Sequence, residues 1–319
     1  MMKKPLSDPE ESATDEAARA AWLYYVGGLT QDQIATELGV SRQRAQRLVS
    51  KAMTEGLIHV RLEHRIAGCL ALEAELKRRF DLKTVRVAPR LGEGADPTHA
   101  IAPVAASVME RFLRQPEPQT IALGTGRALR AMVEELPKIN CEHHKLVSLI
   151  GNISPDGTAS NYDVIMRAAD KLNARHYPMP LPVLLDDPEI RRSFYALPQL
   201  KIVALLAAEA DVTFVGVGQM TESAPLYVDG FISAEDLREE RALGAVGEIA
   251  SWCFDSEGRY LESRLSRRVG GLRPGGREGA HTIGIAAGPE KVTPLRAALK
   301  GRLLNGLVTS EETVEALLA

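Results

Sequence analysis

Beyond residue 82 the chain alternates short apolar runs of β type with amphipathic stretches of helical length, and this alternation limits the folds open to it. The runs are LKTVRVAP, QTIALG, HKLVSLIGN, ADVTFVGVG, GEIASWCF, HTIGIAAG and LLNGLVT. Among them lie RALRAMVEELP, ASNYDVIMRAADKLN, TPLRAALKG and SEETVEALLA, with apolar residues at helical spacing. Strands joined by helix-length crossovers pair in parallel, and a parallel sheet needs cover on both faces. An α/β domain over 82–319 is therefore expected. The stretch GGLRPGGREGAH, 270–281, is rich in Gly and Arg and is expected to form an exposed loop.

In an open parallel sheet, ligands bind where loops converge at the carboxyl ends of the strands. Three glycine loops follow β-type runs here. Gly124-Thr125-Gly126-Arg127 opens a helix. Its glycines allow close backbone approach, and amides at the helix N-terminus would face an anion. Thr125 adds a hydroxyl, and Arg127 adds a charge-assisted bond, serves a carboxylate or points away; the alternative for the whole loop is a tight strand-to-helix turn with no ligand. Gly151-Asn152-Ile153-Ser154 and Gly216-Val217-Gly218-Gln219 follow two further runs. Asn152 and Gln219 suit sugar hydroxyls, or are simply turn residues. Lys291, just before a helix in AGPEKV, is either a second anion contact or a solvated lysine. None of these loops is GxxxxGK[ST] or GxGxxG, so neither an ATP P-loop nor a dinucleotide fingerprint is present.

Near the N-terminus a different pattern holds. A first helix is expected over Asp15–Val26, with Ala18, Ala21, Trp22 and Tyr25 as its apolar face. Gly27 and Gly28 end it. Thr30 is a good N-cap, and Gln33 three residues later completes a capping-box spacing. A second helix follows from Gln31 to Leu38. Gly39 permits a sharp turn, Val40 plugs the core beneath it, and Ser41 caps a third helix over Arg42–Glu55. On that helix Ala45, Leu48, Val49 and Ala52 fall at core spacing, while Arg42, Gln43, Arg44, Gln46, Arg47 and Lys51 fall outside it. Between Gly39 and Lys51 there are four basic residues and no acidic one. This is a helix-turn-helix whose third helix fits the major groove of double-stranded DNA. Arg42, Gln43 and Arg44 suit base edges; Arg47 and Lys51 suit phosphates. Gly56-Leu57-Ile58-His59-Val60-Arg61 reads as a short strand, the edge of a wing.

Residues 1–13 are polar and expected to be disordered, and 14–63 form the helix-turn-helix domain. In 64–81, Leu70, Leu72, Leu76 and Phe80 recur at helical spacing and suggest a linker helix that packs against a partner. Net charge is −3, so attraction to phosphate must come from a local patch rather than from the whole molecule. Three scattered cysteines, Cys69, Cys141 and Cys253, lack ligand spacing and read as inert thiols of a reducing compartment. There is no secretory signal and no apolar run of membrane-spanning length, so a cytoplasmic location is expected. No metal and no cofactor are expected. His143-His144 reads as a surface turn, and Trp22 and Trp252 as core anchors.

The order of these pieces resembles the SorC/DeoR-type sugar-binding transcriptional regulators. The resemblance rests on GLTQDQIATELGVSRQRAQRLVSKAMTEGLI, then IALGTGRAL, LIGNIS, FVGVGQM, GEIASWCFDSEG and AAGPEKVTPLRAALKGRLLNGLVTSEETVEALL. It implies a (winged) helix-turn-helix and an α/β effector and oligomerisation domain similar to the sugar-phosphate isomerase/CoA-transferase fold. It also implies control by a sugar, polyol or phosphosugar, and a homodimer or homotetramer on operator DNA. Glu248 and Asp255 fall where the resemblance places acidic residues near the effector; Asp255 could instead cap the Asp-Ser-Glu-Gly turn. The alternative is a sugar-phosphate isomerase-like enzyme with a DNA-binding appendage. It would need a positioned acid and base, for which only Glu248 and Asp255 offer themselves, with no supporting histidine. A third reading is an adaptor whose helix-turn-helix binds protein.

Overall fold

The computed structural model of the chain describes residues 9–58, 67–92, 94–158 and 164–319. It divides into two compact units, Met1–His64 and Arg65–Ala319.

The first unit holds α1 (Pro9–Tyr25), α2 (Gln31–Leu38) and α3 (Arg42–Thr54). The capping box forms as spaced: Thr30 Oγ1 accepts from the Gln33 amide at 3.4 Å, and Gln33 Oε1 accepts from the Thr30 amide at 2.8 Å. Gly39 ends α2 at φ 64°, a left-handed conformation cheap only for glycine. Ser41 Oγ accepts from the Arg44 amide at 3.2 Å and starts α3. Ala17, Ala20 and Ala21 of α1 pack on Ile34 and Ala35 of α2 and on Ala45, Leu48, Val49 and Ala52 of α3.

Three expectations change in this unit. The disordered tail through Ala13 is too long, because α1 is already helical from Pro9. Proline fits a first turn, where its missing N–H has no partner to lose. Residues 1–8 lie outside the described residues. The buried face of α1 is Ala17, Ala20 and Ala21 rather than Ala18, Ala21, Trp22 and Tyr25. Trp22 follows Ala21 by one residue, a rotation of about 100°, and is 57% exposed. The expected strand shows no strand geometry over Gly56–Ile58; its second half, His59–Arg61, and with it any wing, lies outside the described residues.

The second unit opens with α4 (Ala67–Phe80), β1 (Thr84–Ala88), α5 (Pro97–Leu113), β2 (Thr120–Leu123) and α6 (Arg127–Glu135). Next come β3 (Lys145–Ile153), α7 (Ile165–Leu172), β4 (Arg175–Pro182), α8 (Pro188–Ala196), α9 (Pro198–Ala208) and β5 (Val212–Gly216). Then follow β6 (Gly218–Gln219), α10 (Pro225–Val228), α11 (Ala234–Ala242), β7 (Gly247–Ile249) and β8 (Trp252–Phe254). The unit closes with β9 (His281–Ile285), a 3-10 turn Pro289–Lys291, α12 (Val292–Lys300), β10 (Gly306–Ser310) and α13 (Glu311–Leu318). The helical stretch expected from Ala159 begins at Ile165, and 159–163 lie outside the described residues.

Seven strands form one parallel sheet in the order β1-β10-β9-β5-β2-β3-β4. Side chains alternate across it. Ile121, Leu123, Val212, Phe214, Ile283 and Ile285 face α5, α6 and α7, while Ala122 and Val215 face the layer of α4, α9, α12 and α13. The edge strand β4 carries Pro178, Pro180 and Pro182, tolerable where one row of amides has no neighbour. Gly151 marks an irregularity in the β3–β4 register, and a Cβ there would lie 2.4 Å from the carbonyl oxygens of both Leu181 and Pro182.

GEIASWCF does not join this sheet. It folds into the hairpin β7–β8 and pairs antiparallel with β6. The reason is its turn: Ala250 (φ 55°) and Ser251 (φ 67°) are both left-handed, the arrangement that a tight hairpin demands. The loop 270–281 is likewise only partly exposed. Gly270 and Gly271 are buried, held by Gly270 N–H to Val183 O (2.9 Å) and Leu272 N–H to Leu149 O (2.7 Å). The His143-His144 turn forms with His143 exposed, but His144 is fully buried, its ring 3.9 Å from that of His143. Trp252 is buried, with the Arg273 guanidinium 4.5 Å from its ring centre. All three cysteines are buried and free.

Within this unit α4 is a structural layer. Cys69 and Leu76 are core residues, and Leu72 and Phe80 pack against them, while Leu70 is 44% exposed. Glu73 Oε1 accepts the Val87 amide at 3.0 Å and its Oε2 pairs with Arg86 at 3.1 Å, which closes part of the open edge of β1.

Candidate functional sites

The strand order sends β3 and β4 to one side of β2, and β9 and β10 to the other side of β5. The carboxyl ends of β2 and β5 therefore flank a topological switch point, where the two following loops diverge and leave a crevice. A cavity of about 320 Å³ lies there. A wider depression of about 980 Å³ near α11 is a charged surface recess, floored by the ion pairs of Asp236 with Arg264 and Arg268. The switch-point cavity is the better candidate because five separate loops bring polar groups into it.

From β2, Gly124, Thr125, Gly126 and Arg127 line the cavity. The Gly124 amide donates to Phe214 O at 2.8 Å, which pins the loop to β5. Gly126 caps α6 at φ 120° with no side-chain cap, so the first turn of α6 presents amides that no capping side chain fills. Arg127 pairs with Asp229 at 3.4 Å. From β5 and β6 come Gly216, Gly218 and Gln219. The hairpin supplies Glu248, Ala250 and Ser251; the loop after β9 supplies Glu290 and Lys291; the start of α5 supplies Asp96 and Thr98.

Glu248 and Lys291 are the most constrained charges. Glu248 Oε2 accepts the Ser251 amide at 2.8 Å, and the rest of the carboxylate fills the space a side chain at Gly218 would need. Burial pushes the Glu248 carboxyl above the usual carboxylate range, partly opposed by the Ser251 amide and by Lys291. Burial pushes the Lys291 ammonium down, opposed by Glu248 and Glu290. Lys291 donates to Gln219 Oε1, and Gln219 Nε2 donates to Ser223 O at 3.1 Å. At Asp96 the amide of Thr98 donates to Oδ1 at 2.8 Å and holds the carboxyl below its usual range.

Two expected residues lie elsewhere. Asn152 sits half-buried on β3 and does not line the cavity. Asp255 organises the turn after β8: it accepts the amides of Glu257 and Arg259, each at 2.9 Å, and pairs with the Arg259 guanidinium. A carboxylate at the first position of Asp-Ser-Glu-Gly does this by local geometry alone. Conversely, Asp96, Thr98, Ser223, Asp229, Ser251 and Glu290 line the cavity without having been singled out. Asp96-Pro97 was a readable helix start, whereas nothing in the sequence ties Asp229 to Arg127, 102 residues away.

In the first unit, α3 turns Arg42, Gln43, Arg44, Gln46 and Arg47 to solvent, with Lys51 half-buried. Thr30 and Ser41 are engaged as caps, and Gln31 is half-buried in the first turn of α2. Arg44 pairs with Glu16 of α1 at 2.8 Å, Arg42 with Asp32 at 3.5 Å, and Lys51 with Glu55 at 3.7 Å. Arg47 has no carboxylate partner among the described residues. The pairs are well exposed, a class worth about 0–1 kcal/mol, so a polyphosphate can displace them.

Comparison with known proteins covers both units. The family model of a sugar-binding domain (Sugar-bind) matches residues 64–319, and a MarR family model matches residues 20–65. The erythritol catabolism regulatory protein EryD of Brucella abortus is 32% identical over 313 residues, 98% of each chain. The transcriptional regulator LsrR of Klebsiella pneumoniae is 34% identical, covering 95% of this chain and 92% of that one. The crystal structure of the full-length sorbitol operon regulator SorC from Klebsiella pneumoniae superposes with a TM-score of 0.73 at 30% identity, covering 98% of this chain and all of that one.

Proposed function

The chain belongs to the SorC-type family of sugar-binding transcriptional regulators, and on that footing we propose that its switch-point cavity binds the effector while α3 reads operator DNA. It is a DNA-binding regulator of carbohydrate or polyol catabolism rather than an enzyme; its relatives are regulators by name. The observation that carries the assignment of the cavity is the convergence of Gly126, Gln219, Glu248 and Lys291, from four different loops, at a crevice that the sheet topology opens. Hydroxyl groups of a sugar or polyol can donate to Glu248 and accept from Lys291 and the α6 amides. An acid–base pair of Glu248 and Asp255 has no support, since Asp255 lies outside the cavity, and no histidine lines it among the described residues.

On α3, Arg42, Gln43 and Gln46 are the base-reading candidates, and Arg47 and Lys51 the phosphate contacts, with Thr30, Gln31 and Ser41 at the flanking helix starts. Arg44 must first leave Glu16, and Arg42 must leave Asp32, to reach a base. A homodimer or homotetramer reading two half-sites in the cytoplasm completes the proposal. Among the described residues no helix is long and apolar enough to cross a membrane. The effector alters DNA affinity only through its different affinities for the two arrangements of the protein. The test is fluorescence anisotropy of the full-length protein on duplexes from its own promoter region, with a panel of sugars, polyols and their phosphates. The expected result is a saturable complex at low salt whose Kd one compound class shifts about tenfold. Absence of any sequence preference over random duplex would overturn the operator-binding assignment of α3.

A further inference from the structure

The cavity also bears on the charge of its ligand, and an inference drawn from it rests on the proposal that the effector binds there. We infer that the effector is an uncharged polyhydroxylated molecule, a sugar or polyol without a phosphate. Four carboxylates line the cavity, Asp96, Asp229, Glu248 and Glu290, against two cations, Arg127 and Lys291. The formal balance of these lining residues is 2 − 4 = −2. Both cations are already engaged by groups in the same wall. Arg127 is paired with Asp229 at 3.4 Å, and Asp96 is near enough to feel its charge. Lys291 donates to Gln219 Oε1 and lies within the field of Glu248 and Glu290.

A phosphate dianion would have to draw Arg127 from Asp229 or Lys291 from Gln219, and would then face the carboxylates of the same wall. It would also use only the donors of the site. A polyol uses both sets, because each hydroxyl is one donor and two acceptors. Its O–H groups can donate to the carboxylates of Glu248 and Asp96, and its oxygens can accept from amides of the first turn of α6, where the Gly126 cap supplies no side-chain acceptor. Gly124 does not add to that anion cradle, since its amide is spent on Phe214 O at 2.8 Å. The walls of this cavity therefore match hydroxyl chemistry at more points than they match phosphate chemistry.

The experiment is calorimetric titration of the full-length protein with matched pairs, each a short-chain alditol and its terminal monophosphate. The neutral member should bind at least about tenfold tighter than its phosphate, a difference of about 1.4 kcal/mol. Asp229→Asn, which removes the carboxylate 3.4 Å from the Arg127 guanidinium, should shift the affinity ratio about tenfold toward the phosphate. Asp96→Asn should shift it in the same direction, and asparagine keeps the start of α5 capped. Thermal melting of both variants checks that they fold. A wild-type protein that prefers the phosphorylated member of a pair overturns the inference while leaving the sensor function intact. Failure of every neutral and phosphorylated member to bind overturns the sensor assignment of the cavity itself, and the inference with it.

Discussion

Gly218→Ala is the sharpest probe of how the cavity is built. A methyl group there would lie 2.0 Å from Glu248 Oε1, 2.8 Å from its Cδ and 2.9 Å from its Cγ. The backbone of Gly218 is not in the left-handed region, so the cost is one of contact alone. Two relaxations are open. The wall can yield, which for an added methyl in a packed site costs about 1–3 kcal/mol. Or Glu248 can swing away and forfeit the amide of Ser251, a hydrogen bond to a charged group worth about 1.5–3 kcal/mol. The protein takes the cheaper route, so about 1–3 kcal/mol is expected. At about 2–4 °C per kcal/mol for a domain of this size, Tm should fall by about 2–12 °C. The decisive measurement is a double-mutant cycle with Glu248→Ala. Once the glutamate is truncated the methyl has room, and Gly218→Ala should then cost less than about 0.5 kcal/mol. A coupling of about 1 kcal/mol or more marks the direct contact. Equal costs in the two backgrounds would refute the packing of Glu248 against Gly218.

Three further outcomes are expected. Arg47→Ala should weaken binding to all duplexes alike and lower the salt slope by about one; an unchanged slope removes Arg47 from the phosphate contacts. Ala250→Gly should stabilise the hairpin by about 0.5–1 kcal/mol, since a left-handed L-residue costs about 1–2 kcal/mol and glycine returns about 0.5–1 in chain entropy; an unchanged or lower Tm counts against strain at that turn. His144 accepts the Gln119 amide at Nδ1 (2.9 Å) and meets Leu113 O at Nε2 (3.1 Å), so the ring is held neutral. Burial lowers its pKa, and the stability it contributes is therefore full above its ordinary value of 6.5 and is lost as pH falls through the depressed folded value. Unfolding titrations across pH 7 to 5 should show an acid-side loss that His144→Gln reduces; an identical profile in the variant discounts the histidine.

The residues that were legible in the chain were those whose conformation is settled within a few positions. Thr30, Gln33, Gly39 and Ser41 set helix ends by local hydrogen bonds and φ, and the runs in β2, β5 and β9 are apolar because both their faces are covered. The strand β4 was missed because three prolines disguise a sequence that only an edge position tolerates. Helix α5 was passed over too; it carries Pro103 in its interior. Trp22 and His144 were misplaced in opposite senses, since residue type does not say which way a helix is rotated or what covers a turn. In the cavity, the glycine loops announced themselves by pattern. Asp229 and Glu290 did not, because a wall residue brought in by a distant loop has no local signature.

The place of α4 bears on how such proteins can be recombined. A splice at residue 82, where the β-type runs begin, would strip Leu76, which is fully buried, from one face of the sheet, and would deprive the Val87 amide of Glu73. Burying a leucine side chain contributes about 1.5–3 kcal/mol, and the exposed underside of β1 would invite aggregation. The interchangeable cassette therefore starts upstream of Ala67, and biosensor chimeras that graft this domain onto foreign DNA-binding heads should carry α4 with the sensor.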